Sequence, residues 1–183
     1  MRWLQPLARP RFILFFLGLF IACQIVFFFL FQALAAQGVS TTLDMMTGFT
    51  PGQARAHFEA YTPAAFLLLN WFQLTDLVFP SAYGLFFASL SFWLLGKLFP
   101  SSTRVGWVCL VPLVGAGCDL LENTGIFIMA RVYPGDIQTL AVLTGAAGIV
   151  KNVLFLGGVL LAVTLSIIYL MRRVLGNARK PTP

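Results

Sequence analysis

Asp119, Glu122 and Asn123 stand at positions i, i+3 and i+4 of an apolar run, so on a helix they fall on one face, which Pro112, Gly115 and Ile126 extend. Lys151 lies inside a later apolar run with Asn152 beside it and shares a face with Thr144, Leu154, Phe155 and Gly158. Asp76 lies inside an earlier run, on a face with Gln73, Pro80 and Tyr83. A charge near the bilayer centre costs about 2.5–3.5 kcal/mol on insertion scales, so such residues face a bundle interior and pair with one another. Three acids against one lysine leave an excess of negative charge if all ionise. At least one acid is then expected to hold a proton, unless a cation or Arg131 reaches in. A protonated acid beside an ionised one is an arrangement that performs general acid–base chemistry. On that reading Asp119, Glu122 and Lys151 are the catalytic candidates, and Asp76, Tyr83, Gln73, Asn123 and Asn152 are the ligand-binding ones. The same residues also fit a Lys–carboxylate pair that only sets helix register, or an ion or proton path.

Other chemistries find no residues. There is no Ser–His pair and no phosphate-binding glycine loop. The one histidine, His57, has no second histidine or suitable cysteine near it, so no metal site and no cofactor is expected. Cys23, Cys109 and Cys118 all lie in apolar segments and none belongs to a CxxC, which reads as three buried, unreactive thiols.

The elements that position these side chains follow from composition. The chain has 183 residues, 59% apolar and 10% charged, with mean hydropathy +0.88. A soluble domain averages about 45–50% apolar and about 25% charged residues, so the bilayer is the solvent here. Four spans are predicted, over about 12–36, 72–98, 106–130 and 148–171. The first run has the Arg-rich flank of a signal peptide, but it is longer than the usual h-region of about 7–15 residues, so an uncleaved span is expected. Residues 37–65 form a more polar segment on the outer side. Within it, Thr50-Pro51-Gly52-Gln53 reads as a helix start, a threonine cap followed by proline in the first turn, with His57 exposed on the short helix that follows. The runs from 63 and from 137 are longer than one span needs, so short interfacial helices are expected before the second and fourth crossings. Pro80 is a predicted kink. Pro100-Ser101-Ser102-Thr103 and Tyr133-Pro134-Gly135-Asp136 are predicted turns. Ala141, Thr144, Gly145 and Gly148 make a small-residue face for close helix approach.

Twelve Lys and Arg stand against six Asp and Glu. Nine of the twelve (Arg2, Arg9, Arg11, Lys97, Arg104, Arg172, Arg173, Arg179 and Lys180) fall on one side of a four-span chain whose ends lie together. This is the positive-inside pattern, with both ends cytoplasmic, rather than a nucleic-acid surface. Counting along each span from its basic end places Lys151 and Asp76 at roughly 31 Å, Glu122 at roughly 27 Å and Asp119 at roughly 22 Å. All four then share the outer half of the membrane.

The string Cys118-Asp119-Leu120-Leu121-Glu122-Asn123, followed by Tyr133-Pro134 and Lys151, resembles a group of small bacterial four-span membrane proteins with an Asp-x-x-Glu-Asn element. Gly48-Phe49-Thr50-Pro51 and Asp76…Pro80…Tyr83 fit the same pattern. That likeness covers most of the chain and carries no activity with it. The order of parts is also similar to the emopamil-binding-protein (EXPERA) superfamily, whose members bind or isomerise sterol-like molecules. That resemblance rests on Trp71-Phe72…Asp76-Leu77-Val78-Phe79-Pro80 and implies that Asp76 lies in a ligand cavity. The chain departs from the pattern in having Gln24 in place of an acid in its first span and in carrying Lys151.

These readings combine into an all-α integral membrane bundle of four transmembrane helices in a single domain, in the bacterial inner membrane. The expected function is binding or modifying a hydrophobic, lipid-like ligand from the outer leaflet. The alternatives are a proton- or cation-coupled transporter and a structural or assembly subunit. A membrane lipid is the expected partner, nucleic acid is not, and a homo-oligomer is compatible with the sequence.

Overall fold

The computed structural model describes residues 4–100 and 104–178. Arg2, Arg179, Lys180 and positions 101–103 of the predicted turn lie outside the described residues. The described residues are mostly helical and include no strand: α1 (Pro10–Ala36), α2 (Pro51–Glu59), α3 (Pro63–Leu98), α4 (Leu110–Val132) and α5 (Gln138–Ala178), with 3-10 turns at Leu43–Met45 and Arg104–Cys109. The four long helices are apolar enough to cross a membrane.

Each boundary has a local cause. Pro10 opens α1, where its missing N–H costs nothing. Gly38, at φ +83°, closes it. The Gly38 and Val39 N–H groups donate to the Ala35 and Leu34 carbonyls at 3.0 Å each, and Val39 and Leu34 are both buried in one cluster. This is a Schellman close, with its apolar contact. Thr50 caps α2 reciprocally: the Gln53 N–H donates to Thr50 Oγ1 at 3.3 Å, and the Thr50 N–H donates to Gln53 Oε1 at 2.8 Å. The helix start read at Thr50-Pro51 is therefore present. Thr62-Pro63 repeats the device: the Ala65 N–H donates to Thr62 Oγ1 at 3.1 Å. At the start of α5, the Gln138 N–H donates to Asp136 Oδ1 at 2.9 Å.

The last of those caps corrects one expectation. The short helix α2 precedes the second crossing as expected, but among the described residues no separate helix precedes the fourth. α3 runs unbroken for 36 residues, about 54 Å, and α5 for 41 residues, about 62 Å. Only α2 is a short helix of the outer segment. His57 is not simply exposed on it: the ring is half-buried, with Nε2 2.8 Å from the Tyr61 hydroxyl. Burial holds His57 below its ordinary 6.5. Of the three cysteines, Cys23 and Cys109 are buried, Cys118 is half-buried, and none is paired.

α1 packs along α3, α4 along α3 and α5, and α5 also against α3, whereas α1 makes no comparable contact with α4 or α5. The α1–α3 seam is aromatic. Phe20 and Phe27 of α1, seven residues apart, meet Phe72, Phe79 and Phe86 of α3, also seven apart, with ring centroids 4.6–6.4 Å from one another. A cluster built from α1, the 37–62 segment and the adjoining ends of α3, α4 and α5 fills one end of the bundle. Leu4, Leu94, Leu95, Leu98, Cys109 and Leu165 fill the other. Arg172 closes that second end by donating from Nη1 to the Leu98 carbonyl at 3.0 Å.

Candidate functional site

Between the two apolar clusters, α4 and α5 bring the sequence-identified charges together. Lys151 Nζ lies 2.5 Å from Glu122 Oε2 and 3.2 Å from Asp119 Oδ1. Glu122 is fully buried, and Asp119 is 3% exposed. Glu122 fits because residue 148 is glycine: a Cβ there would collide with Glu122 Oε1. The small-residue face of α5 thus serves the ion pair as well as helix packing.

The third partner of Lys151 comes from outside the helices. Its ammonium also donates to the backbone carbonyl of Asp44, at 3.0 Å. Two glycines bring that turn down onto α5. Gly48 adopts φ +139°, a conformation that a side chain would strain, and Gly145 leaves space that a Cβ would take from the Phe49 carbonyl. Lys151 therefore meets two carboxylates and one carbonyl, which matches the three protons of its ammonium.

Asn123 joins α4 to α3. Pro80 has no N–H, so the Asp76 carbonyl four residues earlier loses its normal helical donor. Asn123 Nδ2 donates to that carbonyl at 3.0 Å and to Asp119 Oδ1 at 3.2 Å. The Asp76…Pro80 spacing and the Asn after Glu122 are thus two halves of one contact.

A cavity of about 500 Å³ opens beside this network. Its polar end is formed by Asp76, Tyr83, Asp119, Lys151 and Asn152 together with Asp44. Asp76 Oδ2, Asp44 Oδ1 and the Tyr83 hydroxyl are buried and have no hydrogen-bond partner. Asn152 is committed elsewhere, donating from Nδ2 to the Gly148 carbonyl at 2.9 Å. Burial pushes the Asp44 carboxyl above its ordinary range. The rest of the wall is apolar: Phe27, Phe28 and Phe31 of α1, Phe72 and Phe79 of α3, Phe155 of α5, and Met45, with Gln24 the one further polar residue. Tyr83 is clamped between Phe79 and Phe155, at centroid distances of 5.2 and 4.9 Å. The cavity lies where α1 and α5 fail to pack, so it faces the side of the bundle rather than only its end. Comparison of the chain with protein-family models, curated proteins and solved structures gave no match.

The structure therefore sorts the sequence-identified residues into three groups. Asp76, Tyr83, Asp119, Lys151 and Asn152 line the main cavity. Glu122 lies behind Lys151 and does not line it. Gln73 and Asn123, expected to touch the same ligand, line a different cavity between α3 and α4. Sequence reading missed Asp44, Met45 and the Phe27–Phe28–Phe31 wall. The heptad spacing of Phe20, Phe27, Phe72, Phe79 and Phe86 was a usable signal for the aromatic seam, whereas Asp44 is an ordinary loop acid with no pattern around it. Chemically, the chamber has one cation already consumed by two acids, plus two carboxyls and a phenol with free capacity. Among the described residues no group of three or more His, Cys, Asp and Glu is placed to hold a metal ion.

Proposed function

We propose that this protein binds a lipid-like amphiphile in the 500 Å³ cavity, taking it sideways from the membrane through the gap between α1 and α5. The observation that carries the reading is the polarity of the cavity along its length: unpartnered Asp76, Asp44 and Tyr83 oxygens at one end, and phenylalanine rings along the rest. An apolar chain fits the rings. A headgroup that donates hydrogen bonds, a hydroxyl or an amine, fits the carboxyl end, and an anionic headgroup does not. Asp119 and Lys151 border the same chamber and would move a proton on such a headgroup if the ligand is also a substrate. The likeness in order of parts to emopamil-binding proteins agrees with Asp76 as a ligand contact. The nine cations on one side of the four-span chain, seven near its ends and Lys97 and Arg104 at its middle turn, support cytoplasmic termini in a bacterial inner membrane, with the cavity in the outer half. The packed leucine cluster at the other end weighs against a continuous polar route for transport.

The test uses diazirine-bearing oleyl alcohol, oleylamine and oleate with the purified protein in micelles. The alcohol and amine should label residues of α1 and α5 around the gap. Oleate should label about tenfold less or weaker still, because like charges brought together at a desolvated site cost several kcal/mol. Phe155→Trp, which fills the cavity, should abolish labelling. Equal labelling by oleate, or labelling that survives Phe155→Trp, would rule the reading out. Labelling of a Thr41→Cys variant by an impermeant maleimide from outside the cell tests the orientation, and protection there would reverse it.

A further inference from the structure

A second cavity, of about 260 Å³, lies in the groove where α3 meets α4. It is lined by those two helices alone and contains no charged side chain. Its floor is polar. Gln73 is 4% exposed and Asn123 is 1% exposed, yet Gln73 Nε2 and Asn123 Oδ1 have no hydrogen-bond partner. The orientation of the Asn123 amide is dictated by its surroundings. Its NH₂ group faces the Asp76 backbone carbonyl, which can only accept, and the Asp119 carboxylate. Oδ1 must therefore point the other way. The floor of the groove then holds an unpartnered acceptor, Asn123 Oδ1, beside the Gln73 amide, whose NH₂ group is also unpartnered and can donate. A buried polar atom left without a partner costs about 1–3 kcal/mol, so two of them in one cavity call for a complementary group. Leu74, Leu77 and Phe127, each at least two-fifths exposed, make the apolar part of the rim, and half-buried Asn70 and exposed Thr124, whose hydroxyl donates to the Leu120 carbonyl at 2.7 Å, complete it.

We propose that this groove is a second lipid site that takes the single free hydroxyl of a neutral glycerolipid, a diacylglycerol. A hydroxyl both accepts and donates, so one group accepts from Gln73 Nε2 and donates to Asn123 Oδ1. The acyl chains lie over Leu74, Leu77 and Phe127. A phosphate or a charged amine finds no counter-charge there. The site is separate from the cavity between α1 and α5, but the two share one side chain: Asn123 presents its NH₂ group to the acid cluster and its carbonyl to the groove.

The experiment uses the whole protein in phosphatidylcholine nanodiscs with three photoreactive probes: a diazirine-bearing dioleoylglycerol, the same lipid with its hydroxyl methylated, and a diazirine-bearing phosphatidylcholine. Labelled peptides are mapped by mass spectrometry. Dioleoylglycerol should label 70–77 and 123–127 saturably, about fivefold more than its methyl ether, which can accept but cannot donate. Gln73→Leu removes the donor that both probes accept from, so it should weaken labelling by the alcohol and the ether alike, and Leu77→Trp should remove the labelling by filling the groove. Labelling around α1 and α5 reports the main cavity, so failure at one site is read separately from failure at the other. The proposal is overturned if the ether or phosphatidylcholine labels the groove as well as the alcohol does. It is equally overturned if Gln73→Leu leaves labelling by both probes unchanged, or if only a second copy of the chain crosslinks there. Should Gln73→Leu fail to fold, the alcohol-to-ether ratio on the unmodified protein decides alone.

Discussion

Removing Lys151 leaves two carboxylates behind. Lys151→Met strips the counter-charge from Asp119 and Glu122, whose side chains are 4% and 0% exposed, and it also frees the Asp44 carbonyl that Lys151 holds at 3.0 Å. Breaking a buried pair from one side costs about 3–5 kcal/mol, because the remaining charge has neither water nor a partner. Glu122→Gln is milder: Lys151 keeps Asp119 and the Asp44 carbonyl, and what is lost is one charge-assisted hydrogen bond, about 1.5–3 kcal/mol. The two sites are in direct contact, so the double variant should cost less than the sum of the singles by about 1–3 kcal/mol. The assay is equilibrium unfolding of the four proteins in mixed micelles at one pH, followed by helical circular dichroism. The order expected is Lys151→Met worst, Glu122→Gln intermediate, and the double variant close to Lys151→Met. Effects that add to within about 0.5 kcal/mol would mean that the two side chains do not interact, and the site's electrostatic account would fail. Singles as stable as the parent would mean instead that the charges are held at a cost to folding, which strengthens a role in ligand binding or catalysis.

Two further outcomes follow from the same geometry. Gly148→Ala should destabilise the bundle by about 1–3 kcal/mol in the same unfolding assay, since the added methyl displaces the Glu122 carboxyl. The penalty should shrink in a Glu122→Ala background, and an unchanged penalty there would show that Glu122 is not what the methyl meets. The Asp44 carboxyl titrates above its ordinary 3.8 because it is buried. The unfolded chain therefore releases this proton first, and the group's contribution to stability falls as pH rises from 3.8 through the folded-state value. Asp44→Asn keeps the backbone carbonyl and removes the titration. It should raise Tm at pH 8 relative to the parent and leave it nearly unchanged at pH 3.5; a gain confined to low pH would reverse the sign of the argument.

Much of this site was legible from local periodicity. Asp119, Glu122 and Asn123 had to share a face, and Gly148 had to sit on a close-packing one, because a helix repeats every 3.6 residues whatever surrounds it. Four apolar runs and the bias of nine cations set the number of spans by the same kind of reasoning, since the cost of moving a side chain into lipid belongs to the residue itself. Thr62-Pro63 is legible too, being the same signal that marks the start of α2, and it sets the first residue of α3 at Pro63.

Tertiary structure alone decided which residues meet. Gln73 and Asp76 are three residues apart, hence only roughly 60° apart around α3, and the line where α4 packs runs between them. One faces the acid chamber and the other the outer groove. No property of the α3 sequence draws that line, because it depends on where a second helix lies. Asp44 is the sharper case. It reaches Lys151 through its backbone carbonyl, a group every residue has, across 107 positions of chain. The side chain's identity carries no trace of that contact, so only the folded path of the 37–62 segment could place it there.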